Sequence, residues 1–140
     1  MKRSHFLVLA AMASVAVLFA AIACIPGKSG GGDEPDRKVV DAPIDGIESL
    51  TRESDPPGYT AHIISGLPSG CARFNDAAIT ARSDDTITIL VTNTLPEDDS
   101  IACTAIYGYH ESNLDLGKDF VSGRTYTVNV NDKTETFVAQ

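Results

Sequence analysis

The cysteines Cys24, Cys71 and Cys103 have the most chemistry to offer in this 140-residue chain. Thiols can pair, take a lipid, bind metal or act as nucleophiles. No C-x-x-C occurs, and no histidine or further cysteine lies at ligand spacing to Cys71 or Cys103, so neither a redox dithiol nor a zinc site is expected. Beyond the N-terminal segment the histidines are His62 and His110. His110-Glu111 lacks the second histidine of H-E-x-x-H, so a zinc protease is unsupported. In "GLPSG" (Gly66–Gly70), Ser69 sits one place out of register for a G-x-S-x-G nucleophile elbow. A triad assembled in space around His62 or His110 stands as a small-hydrolase alternative. Gly27-Lys28-Ser29 has Ile22 where a phosphate-binding loop requires its first glycine. Glu97-Asp98-Asp99 offers carboxylates without the D-x-D-x-D-G spacing of a calcium loop, and reads as a solvated turn. We expect no catalytic residue, no metal and no cofactor.

The charge balance narrows the partners. Eleven basic side chains stand against 19 acidic ones, and loss of Lys2 and Arg3 with residues 1–23 would leave a formal charge of −10. With no basic cluster, such a surface repels phosphate backbones, so nucleic acid is not an expected partner. Acidity of this kind keeps an exported domain soluble and apart from its copies, and a monomer is expected.

Lys2 and Arg3 precede an apolar run, Phe6–Ala23, whose one polar side chain is Ser14. A basic start, an apolar centre and small residues at the end make an export signal over residues 1–23; a retained membrane helix is the alternative. Ala21-Ile22-Ala23-Cys24 resembles a bacterial lipobox, with Ala21 where leucine is commonest. The resemblance implies that Cys24 is lipidated and becomes the mature N-terminus, anchoring the protein to a cell membrane or outer membrane with its domain facing the exterior or periplasm. Ordinary signal peptidase cleavage after Ala23 would leave the same cysteine unmodified. With Cys24 so assigned, Cys71 and Cys103 become the natural disulfide pair in an oxidising compartment. Their loop of about 33 residues is worth roughly 3–4 kcal/mol in the chain-entropy model. Two unrelated buried thiols are the alternative.

After Cys24 the chain reads "IPGKSGGGDEPDRKVVDA", rich in Gly, Pro and charge, and we expect a flexible linker over residues 24–42. About 18 such residues reach roughly 20–25 Å at random-coil scaling.

From Pro43 to Gln140 the apolar period is two, so a single all-β domain is expected over residues 43–140. "TITILVT" (Thr86–Thr92) sets Ile87, Ile89 and Val91 against threonines, and "TYTVNVN" (Thr125–Asn131) repeats the pattern with Tyr126, Val128 and Val130. Tyr59–Ser65 and Ile101–His110 also alternate, the latter with Cys103, Ala105 and Tyr107 on one side. Asp45–Thr51, Ala77–Ser83 and Thr134–Ala139 are weaker strands, making about seven in all. "DPPG", "GLPSG", "SDD", "LPEDDS" and "SGR" punctuate them as turns, and Asn131-Asp132-Lys133 predicts a tight hairpin. Glu111–Phe120 is expected as a loop because Gly117 and a polar mix interrupt it. Two antiparallel sheets packed as an Ig-like sandwich is the predicted fold, with a small β-barrel as the alternative.

Phe120–Phe137 resembles the closing hairpin of many secreted Ig-like domains: a Ser-Gly turn, Tyr-x-Val-x-Val, an Asn-Asp turn and a last strand. The chain departs from antibody domains in lacking tryptophan and in its short cysteine spacing, and the resemblance implies no activity. Tyr107 reads as core packing beside the disulfide, whereas a twist at Gly108 would turn a tyrosine outward. The candidate binding surface is therefore Tyr109 and His110 with Pro68 and Ser69 of the turn, facing a protein or glycan partner. A protease-inhibitor-like factor, in which "GLPSGC" enters a cleft in extended form, is a further alternative.

Overall fold

The computed structural model describes residues 34–140. The expected export signal (1–23), Cys24 and the linker up to residue 33 lie outside the described residues. Among the described residues there are eight strands and no helix: β1 (Arg37–Asp41), β2 (Ile44–Arg52), β3 (Gly58–Leu67), β4 (Arg73–Arg82), β5 (Thr86–Pro96), β6 (Gly108–Gly117), β7 (Thr125–Val130) and β8 (Lys133–Val138). They form two sheets. One is β2-β3-β6, and the other is built on β5, with β4 along one edge, β1 and β7 sharing the opposite edge, and β8 outside β7. The result is an open sandwich rather than a closed barrel.

The period-two pattern explains the packing. Ile87, Ile89 and Val91 of β5, Val128 and Val130 of β7, and Ala61 and Ile63 of β3 are all buried in one core. Each such aliphatic side chain contributes roughly 1.5–3 kcal/mol on burial. Threonines fill most alternate positions because a β-branched side chain suits a pleated surface; the buried Thr92 has its hydroxyl satisfied by Asn75 Nδ2 at 3.0 Å. Four rings serve where tryptophan is missing: Tyr59, Phe120, Tyr126 and Phe137 pack with centroids 4.8–5.7 Å apart at one end of the core. Their polar tips are satisfied: Tyr126 Oη accepts from the Val121 N–H at 2.9 Å, and Tyr59 Oη from the Gln140 N–H at 2.6 Å.

Four expectations need correction. The linker does not run to Ala42, because Arg37–Asp41 pairs antiparallel with Thr92–Pro96 of β5. Ile101–Tyr107 is not a strand: Ala102–Tyr107 are all exposed, and the chain there crosses the end of the sandwich without a partner strand. Pairing begins only at Gly108 and continues to Gly117, through the segment expected as a loop. There Glu111, Asn113 and Asp115 alternate with Ser112, Leu114 and Leu116, a period-two pattern that its polar first half and Gly117 obscure. Finally, β7 runs parallel to β5, since the intervening β6 belongs to the other sheet and carries the chain back to its starting end.

The hairpin β7–β8 is as expected, with Asn131-Asp132 as its two turn residues and Val130 paired to Lys133. Asn131 adopts a left-handed conformation (φ 50°), which asparagine tolerates better than most residues. Its side chain sits where β5 changes partners along one edge, from β7 to β1. Asn131 Nδ2 donates to the carbonyls of Ala42 (2.7 Å) and Val91 (2.8 Å).

Candidate functional site

The most built-up surface lies at the end of the sandwich where β5 finishes and β6 begins. The loop between them, residues 97–107, is anchored along its length. Asp98 folds its start, accepting from the Ser100 N–H at 2.8 Å; hydrogen bonding from the Ser100 hydroxyl first, and from this N–H second, holds its carboxyl below the usual aspartate range. Lys38 Nζ pairs with Asp99 Oδ1 at 2.7 Å. Cys71 and Cys103 form a disulfide with Cα atoms 5.5 Å apart, and the Gly70 N–H donates to the Thr104 carbonyl at 3.0 Å. On the other side of the bridge, Arg37 Nη2 donates to the Cys71 carbonyl at 2.7 Å, so β1 steadies the same turn.

Two glycines permit this close approach. A Cβ at Gly66 would overlap the Tyr107 hydroxyl, and one at Gly70 would overlap Thr104 Oγ1. Tyr107 therefore lies across the Gly66 backbone and donates from its hydroxyl to Asp45 Oδ2 at 2.9 Å. That hydrogen bond, with smaller effects of burial and of the Asp45 charge, pushes the Tyr107 hydroxyl above the ordinary tyrosine range. Tyr109 pairs with Gly66 across β3–β6, which leaves room above Gly66 for the Tyr107 ring. The two rings stand 5.4 Å apart at 68°. Tyr109 is 66% exposed, Tyr107 45% and Ile106 66%. Large apolar side chains held in water on a stapled loop and the strand start that follows it form the kind of patch that marks a contact surface.

Of the surface anticipated from sequence, Tyr109 is exposed and Pro68 lies at the same end, immediately after β3. His110 does not join them. One residue along β6 it points to the other face, and its ring stacks on Phe74 of β4 at 3.8 Å. Tyr107 is not core packing, because the loop that carries it crosses outside the sheets. Ser69 opens a tight turn closed by the Ala72 N–H donating to its carbonyl at 3.0 Å, so of "GLPSGC" Gly66 and Leu67 are paired in β3 and the rest turns away instead of continuing extended. Asp45, Ile106 and the two glycines were not legible as site residues. Only "YGY" hinted at the place, and nothing in the sequence linked it to Asp45.

The two histidines are far from acting together. His62 lies on the outer face of β3 between Glu48 of β2 (3.9 Å) and Glu111 of β6 (3.3 Å), opposite to the inward side of His110. The acidic turns Asp84-Asp85 and Glu97–Asp99 are separated by the whole of β5, roughly 35 Å at strand rise. Among the described residues no three His, Cys, Asp or Glu side chains converge as metal ligands would. A cleft of about 520 Å³ opens at the opposite end, with Ile87, Leu116, Phe120 and Tyr126 among its walls and Arg82, Asp84 and Asp119 at its rim.

A family model for the ORF11 beta-sandwich domain matches residues 61–139, from within β3 to just past β8. The chain belongs to the ORF11 beta-sandwich domain family. Neither a curated protein nor a solved structure matches it significantly. The matched region of this ORF11 beta-sandwich domain contains the disulfide, the stapled loop and both tyrosines, while β1, β2 and Asp45 precede it.

Proposed function

We propose that this chain is an exported, lipid-anchored protein whose β-sandwich is a non-catalytic binding module, with Ile106, Tyr107 and Tyr109 as its contact surface for a protein or glycan partner. The observation that carries the reading is the pair of exposed tyrosines, Tyr107 on a loop stapled by Cys71–Cys103 and seated on Gly66, and Tyr109 beside it at the start of β6. Pre-ordering of this kind removes much of the entropy cost of binding, and tyrosine offers a large rigid face with a polar tip. The N-terminal half of the reading rests on the apolar run before Cys24 and on "AIAC".

Two experiments test the halves separately. Mass spectrometry of the mature N-terminus should find an acylated Cys24, and Cys24→Ala should move the protein from the membrane to the soluble fraction; an unmodified Cys24 would end the anchoring claim. For binding, a glycan array and a pull-down from the native envelope should return a partner that Tyr109→Ala loses. Empty results from both would remove the binding reading.

A further inference from the structure

We infer that the corner made by Tyr107, Tyr109 and Asp45 takes an organic cation of the quaternary-ammonium class; this rests on the binding reading above and names its ligand chemistry. The rings meet at 68° with centroids 5.4 Å apart. They form an angle between two π faces, unlike the flat platform on which a sugar ring stacks. A cation within about 6 Å of a ring centroid is drawn to the negative face of the ring, and a group seated in this angle is in reach of both. Weakly hydrated alkylammonium heads profit most, because they give up little water on entering.

The charges around the corner point the same way. Asp45 spends one oxygen on the Tyr107 hydroxyl and makes no other hydrogen bond or ion pair among the described residues. Glu111 lies two residues beyond Tyr109 on the same face of β6, and among the described residues its carboxylate pairs only with His62, at 3.3 Å. Lys133 shares a small neighbouring cleft with Asp45 without pairing to it. A phosphate or carboxylate would meet Asp45 and Glu111 with like charge, whereas a cation is drawn in by these and by the acidic chain as a whole. The corner is also held before the ligand arrives. Tyr107 is fixed by Gly66 and Asp45, and its loop by the disulfide, so little order remains to be imposed.

The test is a titration of the full chain, held in an uncharged maltoside detergent, with tetramethylammonium and choline, followed by the tyrosine ring resonances. Sodium chloride at equal ionic strength is the control. Shifts confined to Tyr107 and Tyr109, saturating in the millimolar range, are expected. Tyr109→Ala should weaken binding about tenfold, Tyr109→Phe should retain it, and Asp45→Asn should weaken it while leaving the fold intact. Glycerophosphocholine in place of choline separates sources: equal binding assigns a lipid headgroup, and its loss assigns a cation without an adjoining phosphate. No saturable shift, or the same shift with sodium, overturns the inference. If Tyr109→Ala still abolishes a partner from the array or pull-down, the binding reading survives that failure.

Discussion

The side chain of Asn131 pairs with the backbone of Val91 as a neighbouring strand would. Its Oδ1 accepts from the Val91 N–H at 2.9 Å and its Nδ2 donates to the Val91 carbonyl at 2.8 Å. One amide side chain thus bridges the gap on the β5 edge between β7 and β1. Asn131→Ala should cost about 2–3 kcal/mol, from lost hydrogen bonds at Val91 and strain at a positive φ. Asn131→Gly should relieve the strain and keep the hydrogen-bond loss. Urea midpoints of the two variants decide it, and equal midpoints with the parent would show that the bridge contributes nothing.

The disulfide closes a loop with a sequence separation of 32, which the chain-entropy model values at roughly 3–4 kcal/mol. Replacing Cys71 and Cys103 together by serine should lower stability by about that amount. It should also make residues 101–107 the first site of limited proteolysis, since they have no strand partner. A proteolytic pattern unchanged from the parent would mean that the loop's other anchors, Gly70–Thr104 and Asp45–Tyr107, fix it without the disulfide.

Tyr107 supplies a pH test. Its hydroxyl proton is held by Asp45, so its pKa in the folded protein lies above that of the unfolded chain. The contact therefore contributes fully below the ordinary tyrosine pKa of about 10, and its contribution is lost as pH rises through the raised value. Asp45→Asn should move the Tyr107 ionisation to lower pH, read by tyrosinate absorbance. Gly66→Ala should do the same by displacing the ring. Superimposable titrations for parent and variants would refute the contact.

A chain begun at Pro43, the boundary suggested by composition, should behave worse than one begun at Asp33. It lacks β1, leaving the edge of β5 from Thr92 to Pro96 unpaired, and a bare strand edge is a template for association. It also loses the bonds of Arg37 to Thr94 Oγ1 (2.9 Å), the Thr94 carbonyl (2.8 Å) and the Cys71 carbonyl (2.7 Å). Light scattering after gel filtration should show oligomers for the shorter chain and a monomer for the longer. Arg37→Ala within the longer chain should cost about 2 kcal/mol.

Sequence legibility followed apolar contrast. β5 and β7 announce themselves because Ile or Val alternates with Thr, and their buried residues are as expected. β6 was opaque because His110 and Ser112 on its inner side are polar like Glu111 and Asn113 outside, and Leu114 and Leu116 alone are too short an apolar run before Gly117. β1 was hidden by charge: Arg37, Lys38 and Asp41 resemble a spacer until Arg37 is seen to hydrogen-bond across two elements. The disulfide followed from counting cysteines. The corner at Tyr107 did not, since it depends on Asp45, 62 residues away in sequence, and on a glycine whose role is to be crossed.

The arrangement along β5 also sets an order in time. Arg37 of β1 pairs with Pro96, and the bridging side chain arrives only with Asn131. A chain delivered from its N-terminus must therefore leave its first strand waiting until most of the domain has followed. Contacts this distant in sequence slow folding, because loop closure has to precede any gain from pairing. The sandwich is thus a late-closing structure at one edge, where β5 gains its full set of partners only when β7 and Asn131 join it.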